Sequence, residues 1–340
     1  MDFNHVERHR FLLTIGLLLL SPLVGEFLLG NQPITAMPSL ILLAPMYGGG
    51  ALLIREGSRR AGRGWPTMIL LAAAYALIEE GPIDQMLWNP HYGSTDMGAA
   101  YASTHVALLG TSIQLLQDVL ALHTVWSICV PIAIIETFSR DRTRPWLGKP
   151  GLAVIAAVFV AGSVFLAVAQ IQSEHFIASP VRFAQATAAI AALIVTAFVV
   201  SRRPAPRVEA SAPRPWVVGT VAFVASSLYF ACEGVTGANP AIPWLVVSAG
   251  LLLAGSAVTL ATRWSHRRDW GAAHRLALAG GALLTYVWMG FTQGQAMSVP
   301  HTTAVIGSII LGAAAVILLG LAARALSVLR EPQRTAPAPR

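Results

Sequence analysis

Glu79 and Glu80 stand side by side near the end of an apolar run, Trp65 to Ile83, and no Lys or Arg occurs between Arg63 and Arg140 to neutralise them. An ionised carboxylate held in a low-dielectric interior without a partner protonates, pairs with a cationic group or binds a cation. The next apolar run carries His123, the one histidine clearly inside a span and the best proton acceptor there. Glu26 lies in the first run and Tyr229 and Glu233 in a later one. A rise of about 1.5 Å per residue brings Glu26, Glu79, Glu80, His123 and Glu233 to a common depth, the outer third of a bilayer, on four separate helices. Tyr75, Tyr229, Trp288 and Thr292 are expected to shape an outward-opening cavity around them.

Paired carboxylates beside a histidine support two kinds of chemistry. Oxygen ligands can replace the hydration shell of a cation, or hold a proton. Alternatively, Glu79 or Glu80 can activate water, alone or with a metal that His123 helps to hold. The sequence has no H-E-x-x-H, no G-x-S-x-G and no P-loop, so zincin, serine-hydrolase and nucleotide chemistry have no support. No cofactor follows from these residues.

The elements that must position these groups are transmembrane helices. The chain is 55% hydrophobic and 11% charged with mean hydropathy +0.62, whereas a soluble domain is about 25% charged. Apolar runs long enough to cross a hydrocarbon core of about 30 Å recur along it. They define an all-α polytopic bundle of about ten spans, near 11–30, 34–54, 65–83, 113–138, 151–171, 181–200, 216–236, 241–262, 273–294 and 303–327. The opening run has no A-x-A site and reads as an uncleaved first span rather than a signal peptide. Every one of the 23 Lys and Arg residues except Arg182 then falls on one side, which places both termini in the cytoplasm by the positive-inside rule. Trp65, Trp146 and Trp216 are expected as anchors at the inner boundary and Trp88 and Trp244 at the outer one.

Between the spans, 84–112 is a long outer loop holding Trp88, Tyr92, Asp96 and Tyr101 and reads as a lid. The segment 201–215 reads as a cytosolic linker and 331–340 as a disordered tail. In the seventh span Gly219, Ala222, Ser226, Tyr229, Glu233 and Gly237 share one helix face of small and polar residues, which packs on other helices rather than lipid. Gly281, Thr285, Trp288, Thr292 and Gln295 form a comparable line in the ninth. Glu136 is set apart as a structural ion pair with Arg140, one turn on. Cys129 and Cys232 read as small core residues.

Glu79-Glu80 followed by a helix bearing His123 resembles the CPBP, or type II CAAX-protease-like, intramembrane family, whose motifs are E-E-x-x-x-R and F-x-x-x-H. Asp84 stands where that family has Arg, and Val119 where it has Phe. The resemblance implies an intramembrane protease with Glu79, Glu80 and His123 as its catalytic groups.

The residues favour a transporter-like protein of the cell membrane that binds a cation, proton or cationic solute through Glu26, Glu79, Glu80, His123, Tyr229 and Glu233. An intramembrane hydrolase and a non-catalytic accessory protein are the alternatives. The expected partners are anionic lipid headgroups at the cytoplasmic arginines and a small cation. The net charge of +7 comes without any nucleic-acid recognition motif, so nucleic acid is excluded.

Overall fold

In bilayer hydrocarbon every backbone N–H and C=O must be satisfied within the chain, and helices do this segment by segment. The computed structural model describes residues 3–93, 98–200, 207–235, 239–297 and 299–334. Asp96 of the long loop, Gly237 of the small-residue face, positions 201–206 of the linker and 335–340 of the tail lie outside the described residues, as does the side chain of Gln295.

Helices α1 (Phe3–Pro22), α2 (Leu40–Arg60) and α3 (Trp65–Ile78) lead into the long loop, which contains α4 (Gly98–Ser103) and a hairpin of β1 (His105–Val106) and β2 (Thr111–Ser112). The rod that follows is continuous from α5 (Ile113–Ala121) to α6 (Val130–Thr137), joined by a π-helical stretch, Leu122–Cys129. Then come α7 (Lys149–Glu174), α8 (Pro180–Val200), α9 (Pro215–Glu233), α10 (Ala241–Ser265), α11 (Ala272–Ala296) and α12 (His301–Arg334). Among the described residues, eight helical stretches are long and apolar enough to cross a membrane. Trp65–Ile83 and α11 are the expected spans outside that set: the first carries Glu79, Glu80 and Pro82 in its last turn, and the second carries His274, Arg275, Thr285 and Gln293.

The bundle has a central and a peripheral layer. The core is built from α1, α2, α3, the α5–α6 rod and α11, with Leu17, Phe27, Met46, Leu52, Met68, Ile128, Ile134 and Leu283 fully or nearly fully buried. Helices α7, α8, α10 and α12 pack around it and turn Val154, Phe165, Val195, Leu252 and Ile317 outward. Large exposed aliphatic side chains on four helices are what lipid contact requires, so the chain is an integral membrane helical bundle. The small-residue face of α9 meets α11: a Cβ on Gly281 would lie 2.2 Å from the Gly219 carbonyl oxygen, and the Ser226 and Thr285 hydroxyls are 2.6 Å apart.

Candidate functional site

Three core rods change from α- to π-helix where an intramembrane acid or histidine sits. Glu26 lies in the π-helical turn Leu23–Leu28, Glu79 and Glu80 in Glu79–Ile83, and His123 in Leu122–Cys129. π-Helical turns are rare and concentrate at functional sites. Each has a proline within or beside it. Pro22, Pro82 and Pro131 lack the N–H that would bond the carbonyl four residues back, which leaves those of Leu18, Ile78 and Ser127 free of that bond. Ser21 Oγ donates to the Ser127 carbonyl oxygen at 2.5 Å. The Leu18 carbonyl oxygen lies 2.0 Å from where a Cβ on Gly48 would be, so only glycine lets α2 approach α1 there.

The distorted turns bring three side chains together. His123 Nε2 is 2.7 Å from Glu80 Oε1, and Nδ1 is 2.9 Å from Glu79 Oε2 and 3.1 Å from Ser127 Oγ. Glu79 is 0% exposed, Glu80 5% and His123 6%. The Glu79 contact is close but out of line with the ring nitrogen, and the Tyr75 hydroxyl, one turn earlier, is buried beside the same carboxyl. Glu26 joins through Tyr47, whose hydroxyl donates to Glu26 Oε1 at 2.6 Å while its ring lies 6.0 Å from the His123 ring. Asn31 donates to the other Glu26 oxygen at 3.3 Å, and Gln293 of α11 donates to Asn31 at 3.0 Å.

Tyr229 and Glu233 form a different cluster. The Tyr229 hydroxyl donates to Asp118 Oδ1 at 3.0 Å and receives Gln117 Nε2 at 3.2 Å. Glu233 is a neighbour of the Asp118 carboxyl, yet its Oε1 is buried with no directed partner. The two clusters share the α5–α6 rod, with Asp118 one turn before His123. Trp288 bonds Ser227 at 3.0 Å, and Thr292 is exposed and bonds its own helix at Met289. Neither contacts the histidine cluster, so the single cavity expected from the sequence resolves into two neighbouring polar clusters.

The outer loop closes over the first cluster. Tyr92 receives Gln170 of α7 at 2.5 Å and donates to Asp84 at 3.3 Å, just beyond the glutamate pair. Glu174, at the end of α7, receives Gly93 N at 3.0 Å and Asn89 Nδ2 at 3.3 Å. Trp88 covers Gly81 and meets Phe183 edge-on at 5.5 Å. The cavity expected to open outward is therefore occluded at its acidic end.

At the inner boundary Glu136 is paired, but with Arg55 and Arg59 rather than Arg140. Glu136 Oε1 is 3.1 Å from Arg55 Nε, and Oε2 is 2.9 Å from Arg59 Nη2. Two arginines on another helix reach the carboxylate in fork geometry, which outcompetes a flexible neighbour along the chain. Arg55 also bonds Glu56 at 2.5 Å and lies 3.4 Å over the Trp146 ring, while Glu56 accepts the backbone N–H groups of Trp146 and Leu147. Trp146 is buried beneath this cation instead of anchoring at the headgroups.

A family model described as an uncharacterized membrane protein family matches residues 15–335. The chain belongs to this family. The match spans both clusters and the inner network, and it lends nothing to the CPBP resemblance. No curated protein and no solved structure matches the chain.

Among the described residues, no three His, Cys, Asp or Glu side chains are arranged to hold one metal ion. Tyr47, Ser127 and Asn31 complete the first cluster without standing out in the sequence as site residues. The available signal for Tyr47 was a polar aromatic followed by Gly48-Gly49-Gly50 inside an apolar run, which permits close helix approach around its hydroxyl.

Proposed function

We propose that this membrane protein is a proton-coupled transporter of the cell membrane, with Glu79, Glu80 and His123 as the protonatable centre. The contact of both His123 ring nitrogens with carboxylates carries this reading. A neutral imidazole has a single N–H. If the proton to Glu80 sits on Nε2, then Nδ1 either carries a second proton, making an imidazolium that bridges two carboxylates, or presents a lone pair to Glu79. In the second case the carboxyl proton lies on Glu79, since a carboxylate facing a nitrogen lone pair at 2.9 Å would repel it. Either way the closed centre holds two protons, and losing one sets a bare charge against a lone pair. Deprotonation therefore favours opening, and Glu26 and Tyr47 next to the centre give a departing proton a second acceptor.

With no Lys or Arg in this layer, the carboxylates favour a cationic solute as the exchanging partner. Proteoliposomes containing a pH-sensitive dye should show solute-driven proton movement when loaded with a panel of organic and alkali cations. Glu80→Gln and His123→Ala should abolish it with normal membrane insertion; wild-type movement in both variants would sink the proposal.

The Glu80–His123 contact at 2.7 Å also suits a hydrolase in which Glu80 activates water. That reading expects cleavage of a membrane-embedded peptide or lipid, lost in His123→Ala, and no coupled proton flux.

A further inference from the structure

Away from both polar clusters, a groove of about 1170 Å³ runs between α9, α11 and α12 at their cytoplasmic ends. Its walls are apolar, with Phe223, Leu276, Leu284, Leu319 and Leu326 among them. Along α11 it extends from Ala273 to Leu284, about 16 Å at about 1.5 Å per residue, which matches half of a hydrocarbon core of about 30 Å. Trp216, 66% exposed, stands at its mouth.

The mouth is basic. Arg214 directly precedes the lining residue Pro215, and Arg324 directly follows the lining residue Ala323. Both are exposed, and among the described residues neither side chain makes a hydrogen bond or ion pair. The chain at Arg214 is held in place: His274 Nε2 bonds the Pro213 carbonyl at 2.9 Å, and Arg267 bonds the Ser211 carbonyl at 2.9 Å. An apolar channel about one leaflet deep, with an exposed arginine next to its lining on α9 and another on α12, both within side-chain reach of its end, suits an amphiphile with an anionic head.

We propose that the groove binds one anionic phospholipid of the inner leaflet, its phosphate at Arg214 and Arg324 and an acyl chain between α9, α11 and α12. This site is independent of the transport reading.

Full-length protein, delipidated in detergent, is titrated with phosphatidylglycerol or with phosphatidylcholine of the same chain length and read by native mass spectrometry. One phosphatidylglycerol should be retained at least tenfold more tightly than phosphatidylcholine. Arg214→Ala with Arg324→Ala should remove most of that preference. Thr220→Trp with Ala323→Trp, at exposed lining positions, should fill the groove and end retention with unchanged thermal stability. Equal retention of the two lipids, or preference surviving both double variants, overturns the proposal. So does a dimer of the delipidated chain that the tryptophan variants dissociate, because the groove would then hold a second copy.

Discussion

At the scale of single residues, the centre keeps a group that stability alone would not select. Glu79 is fully buried and touches His123 Nδ1 only out of line, and a poorly satisfied buried polar group costs about 1–3 kcal/mol. Glu79→Gln removes the ionisable group at nearly constant volume. It should therefore leave the melting temperature in detergent unchanged or raise it by a few degrees, while abolishing coupled proton movement. A fall of more than about 5 °C would show that Glu79 is structural. The sequence made this residue conspicuous because an acid pair in an apolar run without a nearby cation is physically anomalous. His123 was legible for the same reason. Tyr47 was not, since a tyrosine in an apolar run reads equally as core or interface. Nor was the pairing of Glu233 with Asp118, which depends on the rotation of two helices about their axes.

At the scale of elements, prolines at 22, 82 and 131 mark where the rods bend out of α geometry, and they are visible in the sequence as interruptions. Which carbonyl each one frees, and that Ser21 and Gly48 meet two of them, depends on tertiary approach. The inner network was similarly hidden. Arg55 and Arg59 read as topology markers, and Glu136 as the partner of Arg140, because spacing along one helix is legible and packing between helices is not. The network ties α2 to α6 and to the loop around Trp146. Arg55 is 0% exposed and Glu136 has a 3% exposed side chain, and removing one partner of such a buried pair costs about 3–5 kcal/mol. Arg55→Ala should thus lower the melting temperature by about 5–15 °C in a thermal scan of the detergent-solubilised protein. A change within about 2 °C would mean that the ions are solvated and the lock is absent.

At the scale of the whole molecule, the positive-inside rule predicts a cytoplasmic face that carries the arginine loops and an outer face that carries the loop 84–112. With Cys129 and Cys232 replaced by alanine, Leu108→Cys should react with a membrane-impermeant maleimide in intact cells. Val208→Cys should react only after permeabilisation; both positions are exposed. Labelling of both from outside would reverse or break the topology. In that orientation Trp88, Tyr92 and the Asn89–Glu174 contact pack over the end of the rod that bears the acidic centre, with α1, α2 and α6 on its other side. The helical membrane class was legible from composition, since 11% charged residues is under half of the about 25% typical of soluble domains. Occlusion was not, because it depends on how the long loop settles on α7 and α8.

In the proposed cycle the closed Glu79–Glu80–His123 centre holds two protons and releases one. Infrared difference spectra after a pH jump, recorded on the protein in lipid nanodiscs, read protonated carboxyl groups and imidazole bands directly. A buried carboxyl or imidazolium signal should change with pH in the wild type and vanish in Glu79→Gln, Glu80→Gln and His123→Ala. A spectrum without a titrating buried group, or one that is the same in all three variants, would contradict it.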